Sequence, residues 1–228
     1  MFARWGRKEL ALYGGGCALL GGGALLLPDP WRWSAALPFL GAGLVAWFFR
    51  DPERRIPTDV GILVSPADGT VADIESVDEP AFLGGKALRV GIFLSPLNVH
   101  VNRSPARGTV RHRDYRSGKF LAAYDRRAVA ENESRALGIE CDGPPGKPPL
   151  RILVRQVVGV AARRIVCPVE PGARLERGER FGMIKFGSRT ELWVPAEAGF
   201  RCRVAVGDRV RGGSTVIGDA AALGGGGA

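Results

Sequence analysis

Two long, uncharged and mostly apolar runs dominate the N-terminal part of the chain. The first extends from Leu10 to Leu27 and the second from Ser34 to Phe49, with a short turn-forming segment that contains two prolines between them. A helix that crosses a bilayer needs about 20 apolar residues, so both runs are at or slightly below that length. The pattern predicts a short hydrophobic helical hairpin that anchors the chain to a membrane through residues 1–55.

Charged residues border the two apolar runs. Basic residues precede the first run and follow the second, namely Arg4, Arg7, Lys8, Arg50, Arg54 and Arg55. Because positive charge is retained on the cytoplasmic side, we expect both ends of the hairpin, and the rest of the chain, on the cytoplasmic face of the inner membrane. Two alternatives remain, a cleaved signal peptide and a helical pair buried in a soluble core. No small-residue cleavage site ends the first run, and the glycines between residues 14 and 23 would weaken an isolated soluble helix.

After Arg55 the pattern changes to short β-branched runs separated by Gly, Pro and Asp. Examples are the runs Leu88 to Leu94, Leu150 to Val160 and Arg201 to Val206. Such runs are typical of strands, so we expect a compact, mainly β (α+β) domain over residues 56–218.

Three segments of the chain have a different character. Residues 119–136 follow Gly118 and predict a helix, whereas residues 142–149 are rich in Pro and Gly and predict a loop. Residues 219–228 end in a glycine repeat, Gly224 to Gly227, and predict a disordered tail.

The β region contains two internal echoes. The segment Ser65-Pro-Ala-Asp-Gly-Thr-Val71 recurs as Ser104-Pro-Ala-Arg-Gly-Thr-Val110. The segment Gly172-Ala-Arg-Leu-Glu-Arg-Gly178 recurs as Gly207-Asp-Arg-Val-Arg-Gly-Gly213. Paired turn-strand units of this kind suggest a pseudo-symmetric β sandwich that resembles lipoyl or biotinyl carrier domains, with coincidental turn chemistry as the alternative.

The charge balance indicates the kind of partner. The formal net charge is +9, from 32 Lys and Arg against 23 Asp and Glu. A basic surface favours phosphate-bearing partners, either anionic lipid or nucleic acid. The apolar hairpin favours lipid, and no cluster of aromatic residues accompanies the arginines as single-stranded nucleic acid would require. We therefore expect a membrane partner and no nucleic acid.

The cysteines and histidines do not form a metal-binding pattern. Cys17, Cys141, Cys167 and Cys202 show no Cys-x-x-Cys spacing, and the chain has only 2 histidines. Neither a zinc site nor a disulfide framework is indicated, and we expect no metal.

The step Gly213-Ser214-Thr215 near the C-terminus can carry self-cleavage chemistry. Glycine has no Cβ, so it can hold its carbonyl in a strained turn where the next hydroxyl attacks it. Attack by Ser214 would turn the amide into an ester, and β-elimination followed by hydrolysis would leave a pyruvoyl group and ammonia. Most Gly-Ser pairs are simple turns, and the chain has a second one at Gly187-Ser188.

The sequence blocks that precede Gly213-Ser214 point to a family. Collinear blocks precede it, namely Phe48–Arg54, Ser65–Val71, Phe93–Pro105, Gly118–Phe120, Glu131–Glu133, Ala162–Ile165 and Phe181–Arg189. In this order and spacing, residues 46 to 218 resemble the phosphatidylserine decarboxylase family in its short, pyruvoyl-dependent form.

The resemblance implies membrane-associated decarboxylation of phosphatidylserine to phosphatidylethanolamine. It implies self-cleavage between Gly213 and Ser214 into chains 1–213 and 214–228 that remain associated, with a covalent pyruvoyl cofactor derived from Ser214. A pyruvoyl ketone forms a Schiff base with the substrate amine and accepts the electrons released when CO2 leaves. The lipid tails of the substrate and a homo-oligomeric state are left open.

The resemblance also implies roles for individual residues. His100 lies in the block that the family carries near its site and is the candidate proton donor and acceptor. Asp68 matches the acidic residue that orients a histidine during self-cleavage. Longer family members have a second histidine where this chain has Arg103, and arginine cannot act as a base. The sequence therefore leaves open which group drives the cut.

Guanidinium groups suit the phosphate and carboxylate of the phospholipid headgroup. Arg189 is the first candidate for substrate binding and Arg103 the second. For either arginine, the alternative is an ordinary solvated surface residue.

Two other functions remain open at this point. A noncatalytic lipoyl-like membrane adaptor or carrier would need a lysine at a hairpin tip, which Met183-Ile-Lys185 loosely imitates. A membrane-tethered nucleic-acid binder would rely on the basic charge alone. Only the pyruvoyl enzyme would release a C-terminal peptide by itself.

Overall fold

The computed structural model describes residues 1–121, 126–160, 164–185 and 188–224. The chain divides into two compact units, Met1–Glu53 and Arg54–Ala228. They are considered separately.

The first unit is helical. Its helices are α1 (Arg7–Glu9), α2 (Gly15–Ala24) and α3 (Ala36–Phe48), supplemented by a π-helical stretch at Leu10–Gly14 and 3-10 turns at Arg4–Gly6 and Trp31–Ala35. Glycines let α2 and α3 pack closely. A Cβ on Gly21 would lie 3.0 Å from the Phe39 ring, and one on Gly41 would lie 3.4 Å from Sγ of Cys17. The two apolar runs therefore form a helical pair.

The helical pair exposes large apolar side chains, including Leu19, Leu26, Trp31 and Trp33. The uninterrupted α-helical parts of the two runs are only 10 and 13 residues long. Among the residues that the structure describes, no helix is both long enough and apolar enough to cross a membrane.

The second unit is mainly β, as the sequence predicts. Its strands are β1 (Ile62–Val64), β2 (Gly69–Glu79), β3 (Gly85–Leu94), β4 (Val101–Arg103), β5 (Gly108–Arg116), β6 (Ser134–Cys141), β7 (Leu150–Val158), β8 (Arg164–Val166), β9 (Arg174–Leu175), β10 (Arg180–Lys185), β11 (Ser188–Pro195), β12 (Phe200–Cys202), β13 (Arg209–Val210) and β14 (Val216–Ala220). A short helix, α4 (Arg126–Glu131), lies between β5 and β6.

The strands form one large and two small sheets. Eight strands pair in the order β13-β2-β3-β11-β7-β6-β5-β9, and the small sheets have the orders β1-β14-β12 and β4-β10-β8. The pairings within these sheets are antiparallel. Alternation along β11 sends Leu192 and Val194 into the main hydrophobic core and Trp193 to a small cluster on the other face of the sheet.

Most predicted elements are found close to their expected positions. Strand β3 contains the Leu88 to Leu94 run, and the loop between β6 and β7 covers residues 142–149. The Arg201 to Val206 run was predicted too long, because β12 ends at Cys202. The helix predicted over residues 119–136 is reduced to α4, with residues 122–125 outside the described part of the chain. Residues 225–228 of the predicted tail also lie outside it.

The two sequence echoes pair with each other in space. Segment Ser65–Val71 hydrogen-bonds with segment Gly207–Gly213, and segment Ser104–Val110 does so with segment Gly172–Gly178. In each pair the closing glycine donates its N–H to the opening serine carbonyl at 2.8 Å. Each opening serine also donates its hydroxyl to the carbonyl two residues later at 2.7 Å. Each pair of segments therefore has the same backbone hydrogen bonds, and each pair is called a frame. The first frame is Ser65–Val71 with Gly207–Gly213, and the second frame is Ser104–Val110 with Gly172–Gly178.

The two frames differ in their chemistry. Asp68 in the first frame corresponds to Arg107 in the second, and Ser214, after the closing glycine, corresponds to Glu179. Arg107 forms ion pairs at the surface with Asp142 and Glu176. At these two corresponding positions, the first frame therefore has a carboxylate and a serine hydroxyl, whereas the second has an arginine and a glutamate.

Candidate active site

The Gly213-Ser214 step lies in the turn between β13 and β14. Gly213 has a φ of +77°, a left-handed conformation that strains any residue with a Cβ. A Cβ there would also lie 2.9 Å from Cδ of Arg103 and 3.0 Å from Cδ1 of Ile56. Both the backbone conformation and the packing therefore require glycine at this position.

Hydrogen bonds fix the backbone on both sides of the Gly213–Ser214 peptide. The N–H of Gly213 donates to the Ser65 carbonyl at 2.8 Å, and the N–H groups of Ser214 and Thr215 donate to the Arg211 carbonyl at 3.1 and 3.0 Å. The hydroxyl of Thr215 accepts from the Arg211 N–H at 2.9 Å. Gly213 is buried and Ser214 is half-buried. The serine thus stands at the edge of a rigid turn.

Asp68 contacts this turn directly. Its Oδ1 accepts the N–H of Gly212 at 2.8 Å, and its Oδ2 accepts Nη2 of Arg54 at 2.7 Å. Asp68 lies in the connection between β1 and β2, which the first frame holds against the turn. The sequence predicted Asp68 at the site, and the structure brings it to the residue before the Gly213-Ser214 step.

Arg103 at the end of β4 also lies against the turn. It is only 4% exposed, and its Nη1 donates to the Gly178 carbonyl at 3.1 Å. Its stem packs on Gly213, since Cδ leaves no room for a Cβ there. The residue that replaces the second histidine of longer family members therefore places a buried positive charge near the Ser214 turn.

His100 immediately precedes β4 and is fully buried. Its Nδ1 lies 2.9 Å from the Asn98 carbonyl oxygen. Because a carbonyl only accepts hydrogen bonds, Nδ1 carries a proton, and in the neutral ring the lone pair is on Nε2. The side chain of Asn98 accepts the N–H and the hydroxyl of Ser95, both at 2.8 Å, which holds this loop. The backbone thus selects the tautomer of His100, and its catalytic role stays a prediction.

A series of buried side-chain hydrogen bonds, which the sequence did not predict, connects the site to the large sheet. Asn102 donates to Oγ1 of Thr190 on β11 at 2.9 Å and accepts from Gln156 on β7 at 2.8 Å. In the backbone, the Arg103 N–H donates to the Pro66 carbonyl at 2.9 Å. Strand β4 and the segment that carries Asp68 are therefore anchored to one scaffold.

Arg189 lies away from the Ser214 turn. It neighbours Thr190 on β11, and since successive side chains on a strand point to opposite faces, Arg189 points away from the face that contacts Asn102. Its guanidinium donates to both oxygens of Asp73 at 2.5 and 2.6 Å and to Glu191 at 2.8 Å. The missing side chain of Gly91 makes room for it, since a Cβ there would lie 1.8 Å from Nη2.

The ion pairs of Arg189 account for its burial. Burial disfavours the charged guanidinium, but Asp73 and Glu191 outweigh it and raise the pKa of Arg189. Burial likewise favours protonated Asp73, yet Arg189 and Arg89 hold the pKa of that carboxyl below its ordinary value. The structure does not bring Arg189 to the Ser214 turn, and its predicted role in substrate binding stays a prediction.

We expect Arg189→Met to lower the free energy of unfolding by about 3–5 kcal/mol, because it leaves the fully buried Glu191 and the partly exposed Asp73 without their main partner. Urea unfolding measures this loss.

The pKa of Asp73 is lower in the folded state than its ordinary value of 3.8. The stability that its ion pairs contribute is therefore fully present above pH 3.8 and is lost as the pH falls through the folded-state pKa.

Arg151→Met, at an exposed position on β7, is the matched control and should change stability by less than about 0.5 kcal/mol. Unchanged stability in Arg189→Met, together with a higher KM for phospholipid, would favour the substrate role instead.

Comparison with known proteins identifies the family. The sequence profile described as phosphatidylserine decarboxylase matches residues 42–218. The chain belongs to the phosphatidylserine decarboxylase family, which confirms the resemblance.

Relatives from several bacteria carry the name phosphatidylserine decarboxylase proenzyme. The protein of Symbiobacterium thermophilum is 50% identical over 188 residues, which cover 82% of this chain and 84% of that protein. The protein of Rhodopirellula baltica is 48% identical, with 81% and 75% covered. The protein of Salinibacter ruber is 43% identical, with 88% and 87% covered.

The structure also adds a site residue that the sequence did not single out. Arg54 closes the block Phe48-Phe-Arg-Asp-Pro-Glu-Arg54 and is separated from Asp68 by a strand and two loops. Its place in a family block was a signal, but its contact with Asp68 becomes visible only in the fold.

Proposed function

We propose that this protein converts phosphatidylserine to phosphatidylethanolamine and CO2 after cutting its own backbone between Gly213 and Ser214. The observation that carries the proposal is the turn itself. A glycine required by its φ of +77° and by packing precedes a half-buried serine, beside Asp68 and Arg103. The proenzyme names of the relatives are consistent with processing into two chains.

The cut proceeds through an ester. Oγ of Ser214 bonds to the carbonyl carbon of Gly213, the peptide C–N bond breaks, and the amine nitrogen takes up the hydroxyl proton. A base then removes the Cα proton of residue 214, and the Cβ–O bond breaks. Gly213 leaves as a carboxylate, and residue 214 is left as dehydroalanine. One water adds, ammonia leaves, and a pyruvoyl group begins the 214–228 chain.

The arginine beside Gly213 suits the charge that develops in this reaction. An oxyanion forms on Gly213 during the attack, and a carboxylate forms there after the elimination. A preorganised buried cation stabilises such charge without reorganisation of solvent. The stem of Arg103 packs against Gly213, which supports a role for this arginine in both steps.

The site suits a pyruvoyl group at position 214. The turn leaves Ser214 half-buried while it encloses Gly213, so a group at position 214 remains reachable from outside. When formed there, the group supplies a ketone that accepts electrons as the substrate loses CO2. His100 would move protons at Nε2, and Arg103 would bind the acidic headgroup once the Gly213 carboxylate has moved away.

The two chains should remain together after the cut. Strand β14 begins two residues after Ser214 and is the central strand of its sheet, paired with β1 and β12. Ile217 and Ala220 on this strand are fully buried in the main core. The short chain would therefore stay bound by strand pairing and apolar burial, without a covalent link.

Membrane association is supported by the first unit. Its helices expose leucine and tryptophan side chains, and arginines stack on tryptophans, with Arg50 4.0 Å from the Trp47 ring and Arg4 4.3 Å from Trp5. Such pairs suit the headgroup layer. We propose that this unit binds the cytoplasmic face of the inner membrane and presents the second unit to its lipid substrate.

The duplicated frame supports the proposed pseudo-symmetric, lipoyl-like sandwich, but the carrier function has less support. A carrier lysine must reach solvent at a hairpin tip, whereas Lys185 at the end of β10 is buried. The catalytic function is the better account of the same fold.

Purified protein should release CO2 from phosphatidylserine vesicles without added pyridoxal phosphate, because the carbonyl is self-made.

A variant lacking residues 1–49 should still cut itself and act on short-chain phosphatidylserine in solution. It should act on vesicles at least about 10-fold more slowly, since it no longer concentrates at the surface. Labelled CO2 and vesicle sedimentation measure both effects. Dependence on pyridoxal phosphate, or equal rates on vesicles, would contradict these expectations.

A further inference from the structure

We propose that Arg54 is a positioning residue for the self-cleavage, acting on the Ser214 turn through Asp68. The inference rests on the proposed cut between Gly213 and Ser214 and adds to it a residue and a segment. The segment consists of residues 54–59, the irregular stretch that opens the second unit.

The contact chain from Arg54 to the turn is short. Nη2 of Arg54 donates to one oxygen of Asp68 at 2.7 Å, and the other oxygen accepts the Gly212 N–H at 2.8 Å. Both side chains of the ion pair are only 12% exposed. The charge of Arg54 is thus coupled, through one carboxylate, to the amide that precedes the reacting residue pair.

A second contact from the same segment reaches the turn. Cδ1 of Ile56 lies 3.0 Å from the Cβ position of Gly213 and 2.4 Å from that of Gly178. Ile56 therefore packs over the closing glycines of both frames.

The end of the segment is tied down as well. Nη1 of Arg177 donates to the carbonyls of Pro57 and Asp59, both at 2.8 Å. Hydrogen bonds therefore fix both ends of residues 54–59, and Ile56 between them packs against Gly213.

The energetics explain why Arg54 matters. A carboxylate shielded from water needs a paired charge, and removing one partner of such a pair is costly. Replacing Arg54 with a neutral residue removes a charged donor from the carboxylate that holds the Gly212 N–H, so we expect the position of the turn to change. Attack by Ser214 depends on placement, and a shift of about 1 Å can cost on the order of 10²-fold in rate.

The second frame provides an internal comparison. The residue equivalent to Asp68 there is Arg107, whose ion pairs with Asp142 and Glu176 lie at the surface. That frame closes on Gly178-Glu179, so glutamate takes the place of a serine after its closing glycine. The carboxylate and its buried arginine occur in the frame that carries Ser214.

The test measures self-cleavage of the full chain directly. Precursor is synthesised in a cell-free system, translation is stopped, and its conversion into two chains is followed on a denaturing gel. Arg54→Gln should slow the cut on the order of 10²-fold. Arg54→Lys, which keeps the charge, should retain more of the rate, and added guanidinium should partly restore Arg54→Gly. The control Arg55→Gln, at the exposed neighbour, should cut at the wild-type rate.

The outcomes separate the two proposals. A wild-type chain that stays whole would refute the cut itself. A wild-type chain that cuts, with Arg54→Gln cutting equally fast, would overturn the role of Arg54 and leave the cut intact. Folding is checked in the uncut Ser214→Ala background. Loss of the near-UV circular dichroism signal on adding Arg54→Gln there would show a purely structural role and also overturn the inference.

Discussion

Ser214→Ala should remain a single uncut chain and release no measurable CO2 from phosphatidylserine. The hydroxyl is the only atom group of residue 214 that can attack the Gly213 carbonyl, and its removal deletes both the nucleophile and the source of the pyruvoyl group. The turn itself should survive, because its hydrogen bonds run through backbone groups and Thr215. A denaturing gel and a CO2 assay measure the two losses.

Ser188→Ala is the matched control, because Ser188 belongs to the second Gly-Ser pair. Ser188 is fully buried and its hydroxyl has no hydrogen-bond partner among the residues that the structure describes, so the substitution should cost little. This variant should cut and turn over normally. A cut that persisted in Ser214→Ala and mapped to residues 187 and 188 would move the site and leave the mechanism class standing.

His100→Ala should lose roughly 10²- to 10⁴-fold in turnover, the usual contribution of a general acid or base. The backbone carbonyl of Asn98 holds Nδ1, so we expect proton exchange at Nε2. If His100 acts only after CO2 has left, the variant should still be cut. If it also replaces the second histidine of longer relatives, the variant should stay whole. Normal cutting with normal turnover would remove His100 from the site.

Asp68→Ala separates the two roles further. Asp68 holds Gly212, so its loss should slow the cut even when His100→Ala is cut normally. That combination would show that Asp68 acts on the turn. Failure of the cut in both variants would instead tie Asp68 and His100 to one proton-transfer unit.

The duplicated frame could be predicted from the sequence because its signal is local. The turns depend on Ser, Pro and Gly at fixed spacing, and both copies retain them with the same backbone hydrogen bonds. The Gly213-Ser214 step was visible for the same reason. The positive φ and the tight packing of Gly213 then explain why glycine is needed.

The contacts of Arg189 and Arg54 depend on long-range geometry. Which face of β11 carries Arg189 follows from the pairing register, and the partner Asp73 is on a strand remote in sequence. Arg54 meets Asp68 because the chain folds back between them. A motif can identify such residues, but their partners are set by the assembled sheets.

The first unit shows a limit of hydropathy patterns. The uncharged runs Leu10 to Leu27 and Ser34 to Phe49 contain α2 and α3, but 3-10 and π-helical stretches and a turn occupy part of each run. Apolar length in the sequence therefore exceeds regular helix length in the fold.

The intact mass of the purified wild-type protein tests the central claim most directly. We expect two masses in equal amounts, residues 1–213 with a free carboxylate and residues 214–228 with a pyruvoyl group in place of the N-terminal serine. Fully active protein with the single mass of the unbroken 228-residue chain would contradict the self-made cofactor.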